Sequence, residues 1–163
     1  QICKKAISKR GADYLLKYVT SIIGQPEFSR AVIGKKEPIE GKLSFLGKVH
    51  KEAKANNPNP RIEERICRTV EELQNDVIKS TNFFNKLKKR PGSTAQKALI
   101  VIDLIGEGAL IGSDTLKLAR KCAHDFTKKA DFLESYLADS DAAQGKKAHL
   151  LDLERRLKSV GLA

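Results

Sequence analysis

The sequence predicts an all-α protein, a single-domain helical bundle of about five to seven helices with one long helix over residues 61–88. Three observations carry this. Apolar residues recur at three- and four-residue spacing through most of the 163-residue chain. The periodic segments are separated by breakers such as Gly24, Asn56-Asn57-Pro58 and Pro91-Gly92. Only one stretch, Ala98 to Ile105, is rich enough in β-branched residues to read as a strand, and no other segment offers it a partner. With 40% hydrophobic residues, a chain of this length buries one ordinary core and is too short for two comfortable domains, so residues 1–163 read as one basic helical domain. The absence of Met, with Gln1 at the start, predicts a domain excised from a longer protein or a processed product.

The elements follow in order. Residues 4–23 place Ile7, Tyr14, Leu15, Tyr18, Val19, Ile22 and Ile23 on one broad face and stop at Gly24, a natural C-terminal cap. Residues 42–55 group Leu43, Leu46, Val49 and Ala53. The strongest periodicity runs from Arg61 to Leu87, through Ile62, Ile66, Val70, Leu73, Val77, Phe84 and Leu87. Asn59 caps this helix, Pro60 fits its first turn, where a missing N–H costs nothing, and Pro91-Gly92 ends it. At ~1.5 Å per residue it would run about 40 Å, more than so small a domain needs, which points to a bend near Ser80 to Asn82. Phe83 and Phe84 are adjacent and cannot both enter one narrow core stripe, which places one of them near the surface.

For Ala98 to Ile105, Ser93 followed three residues later by Gln96 matches a capping box, which favours a buried helix over a strand. A helix over 114–138 puts Ala119, Cys122, Ala123, Phe126, Ala130, Leu133 and Leu137 on one side, with Ser113 or Asp114 as N-cap. A last helix over 142–160 groups Leu150, Leu153, Leu157 and Val160, capped by Ser140 or Asp141.

Net charge is +11, and the first 60 residues carry 12 Lys/Arg against 5 acids. Such asymmetry implies a basic surface that attracts nucleic acid, anionic lipid or an acidic protein. Two basic groups stand out. Lys117, Lys121, His124 and Lys128, with Arg120 alongside, form a stripe opposite Phe126, Ala130 and Leu133. It reads either as a solvated helix face or as a row of phosphate donors in which His124 gains charge beside an anion. Lys86, Lys88, Lys89 and Arg90 form the densest basic run, at a helix C-terminus where cations complement the dipole. Convergence with Lys35-Lys36 and with Lys4, Lys5, Lys9 and Arg10 would make that run part of a continuous patch. Arg61, Arg65 and Arg68 read as structural, since Glu64 and Glu72 sit four residues either side of Arg68.

Gly106-Glu107-Gly108-Ala109-Leu110-Ile111-Gly112 has GxGxxxG spacing, which fits neither a dinucleotide-binding turn nor a P-loop. It reads as a connector between helices, and as a connector whose tip, Ala109, Leu110 and Ile111, could dip into a lipid surface if exposed. His50, His124 and His149 fall on three different helices, with no Cys or carboxylate at metal-ligand spacing, so no metal or cofactor is expected. Cys3, Cys67 and Cys122 are odd in number and widely spaced, which predicts free thiols in a reducing, intracellular compartment. No apolar run approaches the ~20 residues of a bilayer span, and nothing reads as a signal peptide.

These features predict a non-enzymatic module that binds anionic head groups, with phosphoinositides foremost, at a cytosolic membrane face. The residues expected to hold the anion are Lys117, Arg120, Lys121, His124, Lys128, Lys88, Lys89 and Arg90, with Ala109, Leu110 and Ile111 touching the membrane. Binding to a nucleic-acid backbone is the alternative, though only 6% of residues are aromatic and no recognition motif is present. A helical adaptor for another protein is a third. In architecture alone, a basic helical module with an apolar loop looks like the phosphoinositide-binding targeting domains of some secreted bacterial effectors, a likeness that carries no residue across.

Overall fold

The computed structural model describes residues 38–56, 60–139 and 145–162. Among them are seven helices and no strand: α1 (Ile39–Asn56), α2 (Pro60–Thr81), α3 (Phe83–Lys89), α4 (Thr94–Gly106), α5 (Ser113–Thr127), α6 (Phe132–Asp139) and α7 (Lys146–Ser159). The all-α class is thus as the periodicity predicts. The helix expected over 4–23, the basic residues around it, Lys35-Lys36, Asn59 and the caps Ser140 and Asp141 lie outside the described residues. The chain divides into two compact units, one ending at Val77 and the other beginning at Ile78.

In the first unit, α1 buries Leu43, Leu46 and Ala53, and α2 buries Ile66, Val70, Leu73 and Val77. The Gln74 amide, itself fully buried, donates to the Leu43 carbonyl at 3.4 Å, so the polar group is satisfied inside the apolar layer.

The second unit is built around α4, which packs against α5, α6 and α7. Its capping box forms as expected: the Ser93 hydroxyl accepts from the Gln96 N–H, and the Gln96 side chain accepts from the Ser93 N–H. Ala98, Val101, Ile102, Leu104 and Ile105 are buried, as a central helix requires. The Thr94 hydroxyl donates to Asp131 at 2.8 Å, and the Ala95 N–H to the Ser135 hydroxyl at 3.1 Å, which ties the start of α4 to α6 and the turn before it.

Two expected helices are each divided in two. The long helix over 61–88 stops at Thr81, within the stretch where its length pointed to a bend, because Asn82 adopts a left-handed conformation (φ 49°, ψ 47°) that asparagine tolerates better than most residues. The turn re-aims the chain so that Phe83 and Leu87 are both fully buried while Phe84 stays half-buried against the Phe83 ring. The helix over 114–138 ends at Thr127 and restarts at Phe132. Phe126 and Phe132, six residues apart, would point to different faces of one straight helix; the intervening turn buries both. In consequence Ala130 and Leu133, expected on the core side, are exposed, and Tyr136 is buried instead. The N-cap of α5 is Gly112 (φ 87°) and not Ser113 or Asp114, which belong to the first turn. Leu153 of α7 and Val160, its C-cap, are buried, and Leu150 is exposed.

Candidate cationic face on helix α5

Helix α5 is amphipathic. Thr115, Ala119, Cys122, Ala123 and Phe126 are buried on one side, while Lys117, Arg120, Lys121, His124 and Lys128 are exposed on the other. From Lys117 to Lys128 this stripe extends about 16 Å at the helical rise. Its cations are treated unlike those elsewhere. On α2, Arg68 pairs with Glu64; on α7, Arg155 and Arg156 pair with Asp152 and Lys158 with Glu154. Among the described residues, no ion pair engages Lys117, Lys121, His124 or Lys128. Arg120 is partly committed, its Nε donating to the Val160 carbonyl at 3.3 Å.

The two basic groups predicted from sequence meet at one point. Lys88, near the end of α3, places its ammonium 2.9 Å from the Asp125 carboxylate on α5. The hydrogen bond from Lys88, reinforced by the charges of Lys121 and His124, holds the Asp125 carboxyl below its ordinary range, and the same bond raises the Lys88 ammonium. Lys97 of α4 donates to the Lys88 carbonyl at 3.3 Å and adds another cation beside this junction. Lys89 follows on the surface, and Arg90 is half-buried. Sequence reasoning missed Lys97, whose approach depends on the turn through Pro91-Gly92. It also missed Lys129, whose ammonium lies 5.5 Å from the centre of the Phe126 ring.

The apolar tip is corrected. Ala109, Leu110 and Ile111 are only 4%, 5% and 6% exposed. Backbone bonds from Gly108 to Ile105 and from Ala109 to Leu104 fold the segment back onto the end of α4, so its side chains complete the core and do not form an exposed membrane contact. The glycine-rich segment acts as the helix connector of the alternative reading: Gly106 ends α4 and Gly112 caps α5.

Other reactive groups are held in quiet states. Burial raises the Cys67 thiol and pushes the Cys122 thiol up to about 11, so neither is a thiolate near neutrality. His50 is depressed by burial and by Lys54. The His149 carbonyl accepts from the Tyr136 hydroxyl at 3.2 Å. A cleft of about 190 Å³ lies between the ends of α4 and α7, where Asp103 and Arg156 approach to 3.6 Å. Burial raises the Asp103 carboxyl despite Arg156. Among the described residues no group of three His, Cys, Asp or Glu side chains could hold a metal ion, and no helix is long and apolar enough to cross a membrane. No family model, curated protein or solved structure matches the chain.

Proposed function

We propose that this protein is a binding module, not an enzyme, and that it uses the α5 face to dock on anionic head groups, phosphoinositides foremost, at a cytosolic membrane surface. The observation that carries the reading is the exposed stripe of Lys117, Lys121, His124 and Lys128, none of which is engaged in an ion pair among the described residues. A cation near an anionic bilayer contributes ~1 kcal/mol, so the three lysines of the stripe, with Arg120 beside them, are sufficient for peripheral attachment. Both described thiols stay protonated near neutral pH, which removes the most reactive nucleophile the described residues could offer.

The test is co-sedimentation with phosphatidylcholine vesicles carrying phosphatidylserine or a single phosphoinositide, with a short DNA duplex as soluble competitor. Pelleting that prefers one phosphoinositide and survives the duplex supports the reading. Release by the duplex would transfer the face to nucleic-acid backbones, and failure to pellet with any anionic vesicle would overturn it.

A further inference from the structure

With the 109–111 segment in the core, the cationic face needs another apolar element if it is to hold a bilayer by more than charge. We propose that Leu118 is that element, an inference that rests on the membrane reading above. Leu118 is 54% exposed on α5. One exposed leucine is ordinary on a protein surface; its position gives it significance. At 3.6 residues per turn it lies about 60° around the helix from Lys121 and about 100° from Lys117, and Asp125 falls on its own side two turns later. Asp114 precedes it by one turn, and Asp125 is neutralised by Lys88. The leucine is therefore bordered by lysines along the stripe, by the exposed carboxylate of Asp114 one turn before it and by an internal ion pair two turns after it.

The occupant that fits is an anionic bilayer. Its phosphates complement Lys117 and Lys121, and the zone beneath them accepts a leucine side chain, as in helices that lie in the membrane interface. A nucleic-acid backbone offers the same phosphates with no apolar layer behind them, so Leu118 distinguishes the two sources of anion.

The experiment compares the unmodified chain, Leu118→Ser and Leu118→Phe on phosphoinositide vesicles at about 0.1 M and about 0.5 M salt, where charge is strongly screened. Because the side chain is exposed, both variants should keep the fold, which circular dichroism checks. The expected result is about fivefold weaker binding for Leu118→Ser, most evident at the higher salt, and tighter binding for Leu118→Phe. Equal binding by all three chains would overturn the role of Leu118 and leave the cationic docking face standing. Absence of vesicle binding by the unmodified chain at low salt would overturn both.

Discussion

The Lys88 ammonium lies 2.9 Å from the Asp125 carboxylate, although the two residues are 37 positions apart. This pair brings the end of α3 to the exposed side of α5 and joins two basic groups that are separate in the sequence. It also places the pair's one carboxylate within the field of Lys121 and His124.

Asp125 therefore tempers the face. Asp125→Asn should tighten binding to anionic vesicles several-fold and steepen its salt dependence, because Lys88 is released to the ligand. Vesicle titration at two ionic strengths measures both.

The same pair has a pH signature. Asp125 is depressed, so its contribution to stability is present above its unfolded value of about 4 and is lost as pH falls through the folded one. Lys88 is raised, so its contribution is present below its unfolded value of about 10.4 and is lost as pH rises through the folded one. Both groups are well exposed, so the effect is small. Denaturant midpoints across pH should show Asp125→Asn differing from the parent least at the two extremes.

Lys117→Ala with Lys121→Ala should weaken vesicle binding by about thirtyfold, at ~1 kcal/mol per lysine, without altering the unfolding midpoint. Arg68→Ala on α2, where the cation is paired with Glu64, should leave binding unchanged.

Leu110→Ala should destabilise the protein by about 2–5 kcal/mol, the range for emptying a buried leucine site, and leave the vesicle affinity of the folded fraction intact. Chemical unfolding and sedimentation together separate this from a surface role.

Cys122, with its thiol at about 11, should resist iodoacetamide at about pH 8 until the protein unfolds, while half-buried Cys67 is alkylated sooner. Mass spectrometry of timed samples reads the order.

Periodicity revealed the helices and the orientation of α5, because a face is a local property of spacing. The excess length of the 61–88 helix pointed to the break that Asn82 makes, but periodicity missed the interruption at 128–131, because an amphipathic pattern continues through a turn when the residues beyond it are apolar too. Phe132 and Leu133 show the difficulty: either could be the core residue, and only packing around α4 chooses the phenylalanine. Ala109 to Ile111 misled in the opposite direction, since an apolar triplet between glycines looks the same exposed or folded under. The meeting of Lys88 with Asp125 depends on tertiary structure and left no local trace.

Arg120 and Val160 bear on how the protein can be shortened. The guanidinium on α5 grips a carbonyl 40 positions later, and α4 is fastened near its start to Asp131 and Ser135. A fragment ending after α5 would carry every lysine of the stripe and still lack the groups that hold its arginine and its central helix in place. The smallest piece that reproduces the face must extend through Val160, and shorter peptides copied from α5 would report the charge of the stripe without its geometry.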